Sequence, residues 1–224
     1  MFIEIKNLSI DLGEFKLTDF NLSVKKGEFV VIIGPTGSGK SVVLESIAGF
    51  YKPKEGKIFI NGKDVTHIPP EKRGISIVYQ DYMLFPHMSV YKNIAYGIKK
   101  KIKDKQRIDE EVKKIAEKLG IKHLLHRLPS TLSGGEAQRV AIARAIVVKP
   151  KLLLMDEPFS ALDINTKNEV RKLIKKLTKK YEITTLHVTH DLEDVSLLAD
   201  KVVVIKNGRL LKVETSDKLD RISF

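Results

Sequence analysis

The fold of this chain follows from one stretch, Gly34-Pro35-Thr36-Gly37-Ser38-Gly39-Lys40-Ser41. The stretch has the pattern G-x-x-x-x-G-K-S, in which glycines let main-chain N–H groups turn towards a phosphate. The apolar, β-branched run at residues 28–33 predicts a buried strand before it, and an apolar helical face that stops at Gly49 predicts a helix after it. Strand, glycine-rich turn and helix are the context that this motif requires, so we expect a polyphosphate-binding loop.

The two residues that end the motif indicate what the loop holds. Lys40 is expected to reach the β- and γ-phosphates of a nucleotide, and the Ser41 hydroxyl is expected to coordinate Mg²⁺. The helix that begins here adds the positive end of its dipole. A glycine-rich turn without a ligand is the alternative, but every motif position is filled and both flanks are of the required kind.

Length and composition describe an ordinary globular protein. The chain has 224 residues, enough for one large domain with an inserted subdomain, and 42% of them are hydrophobic. It contains 0 cysteines, which excludes disulfides and cysteine-based metal sites and suits a reducing compartment.

The formal net charge of +12 allows two interpretations. It indicates either an anionic partner, such as nucleic acid, a membrane surface or phosphates, or the lysine-rich surface of a heat-adapted organism. The basic residues are scattered, with one denser run at residues 99–101, and this favours the second interpretation.

The sequence also limits how the protein meets a membrane. Its apolar stretches are far shorter than the roughly 20 residues that span a bilayer. The N-terminus alternates like a strand and lacks the basic-then-apolar layout of a signal sequence. We therefore expect the protein to stay inside the cell, with any membrane role depending on a separate chain.

Outside the loop, the patterns predict an α/β protein with two additions. Short alternating strands in residues 1–33 predict an antiparallel β layer, and Asn61-Gly62 and Asn207-Gly208 mark two later hairpins. A helical block at about residues 82–148 reads as an insert. Helices are predicted at residues 90–97, 108–119, 137–148 and 165–180, and a short helix or frayed end at 214–224.

A pair of carboxylates follows the apolar run Leu152–Met155. Asp156 and Glu157 stand at the end of this predicted buried strand, where uncompensated charge is costly. A metal-bound nucleotide would supply the compensating cation. Asp156 is expected to hold Mg²⁺, and Glu157 to orient or deprotonate the water that attacks the γ-phosphate. A solvated turn at the end of the strand is the alternative.

Two more polar residues end predicted strands. Gln80 follows the strand at residues 75–79 and His190 the strand at residues 184–188. Gln80 could contact Mg²⁺ or the attacking water, and His190 the γ-phosphate, although a surface glutamine and a structural histidine are common. Ligands of α/β proteins sit at the carboxyl ends of parallel strands, which favours the functional interpretation.

A second serine–glycine helix start occurs at Leu132-Ser133-Gly134-Gly135-Glu136. It could grip a phosphate through the helix N-terminus, or it could be an ordinary helix cap. The residues alone favour the cap, because no Lys-Ser pair follows the glycines.

Two groups of apolar residues each have two possible roles. Leu12 or Phe15 could pack against an adenine ring, or both could fill the core of the first β layer. The apolar segment Leu84–Met88 could be core, or it could be a docking face for a partner.

Together these motifs resemble those of the ATPase subunit of ABC transporters, and the resemblance covers nearly the whole chain. Glu157 corresponds to the catalytic glutamate and His190 to the switch histidine. The segments that correspond to Walker A, the Q-loop, the signature, Walker B and the D-loop are Gly34–Ser41, Gln80, Leu132–Glu136, Leu152–Asp156 and Ser160–Asp163.

The resemblance implies one ABC ATPase domain at residues 1–224, a P-loop NTPase core with an antiparallel β subdomain and the helical subdomain. It implies ATP and Mg²⁺ as cofactors, with Ser41, Gln80 and Asp156 as metal ligands. Two copies would sandwich two ATP molecules. The residues implied to cap the γ-phosphate held by the opposite copy are Ser133, Gly134, Gly135 and Glu136, and Asp163 is the implied D-loop residue. Where relatives stack an aromatic on adenine, this chain has Leu12, and Phe15 is the nearest aromatic.

The resemblance also implies the type of transporter. Residues 79–97 look like those of importers, residues 126–131 lack the acidic-glycine stretch of exporters, and residues 34–45 with Phe50 resemble archaeal molybdate/tungstate importers. Membrane permease subunits and an extracellular substrate-binding protein are the implied partners, at the cytoplasmic side of the cell membrane. The chain ends soon after its last hairpin, so we expect no C-terminal regulatory domain.

Other functions stay open. Importers of sulfate, iron, sugar or polyamine are alternatives, and so is a soluble ABC ATPase that acts on nucleic acid. The short block between Gln80 and Ser133 and the single ATPase domain argue against a nucleic-acid partner.

Overall fold

Two β-sheets organise the chain in the computed structural model, which describes residues 1–215. The strands are β1 (Ile3–Asp11), β2 (Lys16–Val24), β3 (Phe29–Ile33), β4 (Glu55–Ile60), β5 (Lys63–Asp64), β6 (Ser76–Val78), β7 (Leu152–Asp156), β8 (Thr184–Val188), β9 (Lys201–Lys206) and β10 (Arg209–Thr215). The helices are α1 (Lys40–Ala48), α2 (Val90–Ile98), α3 (Lys105–Lys118), α4 (Gly134–Ile146), α5 (Ile164–Lys180) and α6 (Leu192–Leu198).

The larger sheet has the order β10-β9-β3-β8-β7-β6. Strands β9, β3, β8, β7 and β6 are parallel, and β10 is an antiparallel edge. Every residue of β3 and β8 is buried. Continuous apolar runs such as Phe29–Ile33 are typical of parallel strands that are covered on both faces. The parallel arrangement brings the carboxyl ends of β3, β6, β7 and β8 to the same edge of the sheet.

Each face of this sheet carries its own apolar cluster. Side chains alternate along β3, so Val31 joins one cluster and Val30 joins the other. The first cluster contains residues of α2, α3, α4 and α5, and the second contains residues of α1 and the smaller sheet. The helical block and the β layer therefore cover opposite faces of the larger sheet.

The smaller sheet is antiparallel, in the order β2-β1-β4-β5. Both predicted hairpin turns are confirmed. Asn61 and Gly62 have φ values of 51° and 74°, and Asn207 and Gly208 have 49° and 70°. Two consecutive residues with positive φ match the twist of the flanking strands, which explains the Asn-Gly pairs.

The predicted fold class is confirmed. The differences lie at element ends and in α6, a helix that was not predicted. Helix α4 begins at Gly134, three residues before the predicted start, because Ser133 is its N-cap. Helix α3 begins at Lys105 because Asp104 accepts hydrogen bonds from its first turn. Strand β10 extends through Thr215, so the predicted helix or frayed end is wrong for residues 214–215, and the rest of that segment lies outside the described residues. Among residues 1–215, no helix combines the length and apolarity needed to cross a bilayer.

Candidate functional site

The glycine-rich loop joins β3 to α1. Gly39 occupies the N-cap position of α1 with φ 100°, a left-handed conformation that favours glycine, and no side chain caps this helix end. The free N–H groups of a helix's first turn and the positive end of its dipole favour an anion. The loop also runs close to its neighbours, since a Cβ at Gly34 would lie 2.1 Å from the carbonyl oxygen of Ile205.

Phe15 borders this loop and Leu12 does not. A Cβ at Gly39 would lie 2.3 Å from Cζ of Phe15, so the ring packs directly on the loop backbone. Phe15 lines a cavity of about 300 Å³ together with residues of the loop and α1. Leu12 is 41% exposed and lines no part of this cavity.

A second cavity, of about 340 Å³, also borders the loop. It collects side chains from the loop and from the ends of β6, β7 and β8. The residues that line it are Thr36, Gly37, Lys40, Ser41, Gln80, Asp156, Glu157, Ser160, Val188 and His190. All the residues predicted at strand ends therefore meet here. Ser160 and Val188 were not predicted for this site, although Ser160 begins the stretch that resembles a D-loop.

A third cavity, of about 370 Å³, is formed by α3, α4 and α5. Arg139, Lys118, Glu117 and Glu169 are among its lining residues, and none of the predicted strand-end residues is. Its charges are mixed and it has no glycine-rich phosphate loop. The second cavity, which Lys40, Asp156 and His190 help to line, is therefore the candidate site.

The ammonium group of Lys40 supplies positive charge at the loop. Its Nζ donates hydrogen bonds to the carbonyl oxygens of Gly34 at 2.9 Å and Pro35 at 3.0 Å. Because the side chain also lines both cavities beside the loop, this charge lies where a phosphate chain would pass.

Asp156 and Ser41 form an oxygen-rich corner of the site. Burial raises the pKa of Asp156, and the neighbouring charge of Glu157 adds to this effect. The hydrogen bond with Ser41 and the charge of Lys40 oppose it. Gln80 lines the second cavity together with Ser41 and Asp156, so a hydroxyl, a carboxylate and an amide border the same space. Oxygen donors of this kind suit a hard cation such as Mg²⁺.

Glu157 and His190 are in direct contact. Oε1 of Glu157 lies 2.8 Å from Nδ1 of His190, and the two side chains are 16% and 77% exposed. Glu157 has φ 46°, and its N–H donates to the carbonyl oxygen of Val188 at 3.0 Å. A left-handed glutamate is uncommon, and residues in such conformations concentrate at functional sites.

A buried ionic network supports the segment that carries His190. Arg171 on α5 is 1% exposed and donates to Asp194 and Asp191, each at 2.6 Å. The Thr189 hydroxyl donates to Asp194 at 2.7 Å. Burial alone would raise the pKa of Asp194, but hydrogen bonds from His187 and Thr189 and the Arg171 charge hold it below its ordinary value. Thr189 and Asp191, the residues on either side of His190, are therefore held in place by hydrogen bonds to this network.

The serine–glycine motif forms a helix cap in this chain. Oγ of Ser133 accepts the N–H of Glu136 at 3.3 Å, and the Glu136 carboxylate accepts the N–H of Ser133 at 2.8 Å. This capping box is the structure that the residues alone favoured. None of the residues 133–136 lines either cavity beside the glycine-rich loop. The protein does not bring its signature to its own loop.

Asp163 is also a helix cap. Its Oδ1 accepts the N–H of Thr166 at 3.0 Å at the start of α5, and hydrogen bonds with Thr166 lower the pKa of Asp163. Like the serine–glycine motif, it lines neither cavity beside the loop.

A model of the ABC transporter family matches residues 17–160. The chain belongs to the ABC transporter family. It is 53% identical over 94% of its length to the molybdate/tungstate import ATP-binding protein WtpC of Pyrococcus abyssi, and it spans 61% of that relative. A protein of the same name from Archaeoglobus fulgidus is 49% identical, with 95% of this chain and 86% of the relative covered.

Solved structures of the family share the fold. The ATP-binding cassette MJ0796, in a dimeric post-hydrolysis state bound to ADP and Pi, matches with a TM-score of 0.87 and 30% identity. The match covers 96% of this chain and 98% of that one. The family fold is a P-loop NTPase core, as the glycine-rich loop predicts.

Proposed function

We propose that this chain is the ATP-hydrolysing subunit of an ABC importer. One observation carries the proposal. Lys40 and Ser41 of the glycine-rich loop line a single cavity with Asp156, Glu157 and His190, and the last two are hydrogen bonded to each other. A phosphate grip, a candidate metal ligand and a candidate base thus surround the place where a terminal phosphate would lie.

The roles follow from the chemistry of each group. Residues 34–41 bind the phosphates of ATP, with the Lys40 ammonium on the β- and γ-phosphates. Ser41, Asp156 and Gln80 would hold Mg²⁺, which would neutralise charge on the phosphates. Glu157 takes a proton from the attacking water, and His190 holds the carboxylate in place.

Phe15 is the proposed adenine contact. Its ring packs against Gly39 and lines the cavity that continues from the loop, whereas Leu12 lies outside it. Base stacking on an aromatic face tolerates different bases, so this contact would add affinity more than specificity.

A second copy of the chain is the proposed partner in the nucleotide site. The signature residues 133–136 lie apart from the loop of their own chain, which suits a contact to the nucleotide of another copy. Ile164 follows Asp163 and is 76% exposed, and Leu192 follows the His190 segment and is 56% exposed. A second copy that covers the starts of α5 and α6 would bury both. The dimeric state of the MJ0796 cassette supports the arrangement.

The helical block, about residues 82–148, is proposed as the subdomain that receives a membrane permease. Met83 is 60% exposed and Tyr96 is 44% exposed, beside the ring of Phe85, whose centroid is 4.6 Å from that of Tyr96. Arg144 of α4 donates to the carbonyl oxygens of Tyr82 and Met83, so this exposed apolar face is held by the signature helix. An apolar face that is fixed in this way suits a helix-in-groove contact.

The cargo is proposed to be molybdate or tungstate, because two relatives that are 53% and 49% identical to this chain are named molybdate/tungstate import ATP-binding proteins. The complex would include permease subunits and an extracellular substrate-binding protein, and this chain would lie at the cytoplasmic side of the membrane. Nucleic acid is not expected as a partner.

Phosphate release from ATP by the purified chain tests the activity. Uptake by proteoliposomes that contain this chain, a permease and a substrate-binding protein encoded by adjacent genes tests the cargo. We expect Mg²⁺-dependent hydrolysis and uptake of molybdate and tungstate, with sulfate, iron, sugar and polyamine as comparisons. Uptake of one of these instead would reassign the cargo. Hydrolysis stimulated by DNA or RNA and unaffected by the permease would replace the transport function.

A further inference from the structure

Gln138 is a fully buried amide in the signature helix α4. It is 0% exposed and lies five residues after Ser133, on a helix whose neighbouring interior positions, Val140 and Ile142, are apolar. A buried primary amide is costly unless its hydrogen bonds are satisfied. We therefore expect the Gln138 amide to have hydrogen-bond partners inside the protein.

Both ends of this amide contact the turn that carries Glu157. Its Nε2 donates to the carbonyl oxygen of Glu157 at 3.3 Å, and its Oε1 accepts the N–H of Ala161 at 3.0 Å. One side chain therefore spans the turn between the end of β7 and the D-loop. No apolar side chain could make either bond.

The close approach of α4 to this turn brings Gln138 within reach. A Cβ at Gly135 would lie 3.2 Å from the carbonyl oxygen of Ala161, and one at Gly134 would lie 3.5 Å from Cβ of Ala161. The contact at Gly135 is the tight one, so the missing side chain at Gly135 lets the start of α4 pack on the D-loop backbone.

The bonds matter because the backbone of Glu157 is in an unfavourable conformation. Its φ is 46°, and such a residue persists only where its surroundings hold it. The N–H of Glu157 is held by Val188, and its carbonyl oxygen is held by Ser160 and Gln138. Of these three contacts, only the one from Gln138 comes from a side chain and from the signature helix.

We propose that Gln138 is a positioning residue that aims the Glu157 carboxylate and ties it to the helix that begins at Ser133. This inference rests on the proposed function, in which Glu157 activates the attacking water. A contact made by Ser133 to another copy's nucleotide would then reach the base of its own site through one helix and one side chain.

The test compares Gln138→Leu, which removes both hydrogen bonds, with Gln138→Glu, which keeps only the acceptor. Thr66→Val is the matched control, because the hydroxyl of the buried Thr66 also makes two hydrogen bonds, with the N–H of Ile58 and with Asp64. Thr66 lies in the turn that follows β5 and lines neither cavity beside the loop. Urea unfolding measures how much stability each variant loses.

Steady-state hydrolysis should separate an effect on the position of the Glu157 carboxylate from a general loss of stability. We expect Gln138→Leu and Gln138→Glu to lower kcat about tenfold or more, with KM for MgATP within about twofold, because misplacing a base affects the chemical step. Thr66→Val should lose comparable stability and keep its kcat. Single-turnover assays should show that Gln138→Leu slows Glu157→Gln no further, because residues that act through one group are non-additive.

A Gln138 variant with wild-type kcat would overturn the inference, and so would a loss that multiplies fully with that of Glu157→Gln. If Gln138→Leu does not fold, Gln138→Met and Gln138→Glu carry the same comparison. A wild-type chain that does not hydrolyse ATP, or a fully active Glu157→Gln, would instead remove the proposed function.

Discussion

The Nδ1 atom of His190 lies 2.8 Å from Oε1 of Glu157, across the carboxyl ends of two adjacent parallel strands. The carboxylate is largely buried and the imidazole is largely exposed, so the pair forms one wall of the cavity beside Lys40. A base held by one neighbour at its side chain and by others at its backbone has a fixed direction. The mechanism depends on this direction.

Replacing Glu157 by Gln keeps its shape and removes its charge and basicity. We expect kcat for ATP hydrolysis to fall about a thousandfold, in the range of general-base effects. ATP should still bind and should hold two copies together, visible as an ATP-dependent dimer by size-exclusion chromatography with light scattering. Glu110→Gln on the exposed side of α3 is the control. Wild-type turnover in Glu157→Gln would remove the role assigned to this residue.

Phe15→Ala tests the adenine contact. Stacking of a base on an aromatic ring is worth about 1–3 kcal/mol, so loss of the ring should weaken ATP binding by about tenfold. Leu12→Ala is the control, since Leu12 lines no part of the cavity beside the loop. Equilibrium titration with a fluorescent ATP analogue gives both values. Equal affinities for the two variants would contradict stacking on Phe15.

The parts of the site that were predictable are those whose position follows from local pattern. A glycine-rich turn between a strand and a helix, and polar residues that directly follow apolar strands, are visible in the sequence. Parallel pairing brings Gln80, Asp156 and His190 to one edge without further information. The hairpins were predictable for the same reason, because Asn-Gly pairs satisfy the turn locally.

The parts that were not predictable depend on contacts between distant segments. Arg171 looks like one more charged residue on a basic helix, and only the packing of α5 on α6 buries it against Asp194. Gln138 looks like a polar residue beside a signature motif, and only the approach of α4 to the D-loop shows what it holds. The choice between Leu12 and Phe15 depended on which side chain reaches Gly39.

Asp156→Asn should stabilise the nucleotide-free protein while abolishing hydrolysis. Burial raises the pKa of Asp156 in the folded state, so its ionised form is less stable in the fold than in the unfolded chain. The stability of the wild type therefore falls as pH rises from the unfolded pKa through the folded one, and a neutral side chain avoids that loss. Urea unfolding at pH 7 without nucleotide should show a higher free energy of unfolding for the variant.

A matched variant and the pH dependence complete this test. Asp104→Asn changes an exposed aspartate that caps α3, so it should not be stabilising. The advantage of Asp156→Asn should shrink as pH falls below the folded pKa, where the wild-type carboxyl is also neutral. A variant that is less stable than the wild type at pH 7 would show that burial is not the dominant effect at Asp156.

Asp194→Asn should destabilise the protein at neutral pH. The substitution removes the negative charge that pairs with the buried guanidinium of Arg171. Removing one partner of a buried ion pair costs about 3–5 kcal/mol. Because the folded pKa of Asp194 is lowered, its contribution is present above the unfolded pKa and is lost as pH falls through the folded one. The difference from wild type, measured by urea unfolding, should be large at pH 7 and should narrow below about pH 4. A pH-independent difference would contradict the charge-based explanation.

Ser133→Arg should block hydrolysis without weakening ATP binding to the single copy. The side chain caps α4 in its own chain and lines neither cavity beside the loop, so a bulky cation there leaves the loop untouched and obstructs a nucleotide presented by a second copy. Loss of the cap costs about 1 kcal/mol, which urea unfolding measures separately.

Asp104→Arg is the control for Ser133→Arg, because it removes the cap of α3 and adds the same cation at a residue outside the signature that lines neither cavity beside the loop. We expect this control to lose a similar stability and to keep its turnover. Equilibrium titration with a fluorescent ATP analogue should give Ser133→Arg the affinity of the wild type, while light scattering should show no ATP-dependent dimer even when Glu157→Gln is added. If the affinity of the single copy fell with the turnover, Ser133 would act on the nucleotide of its own chain, and the two-copy arrangement would be wrong.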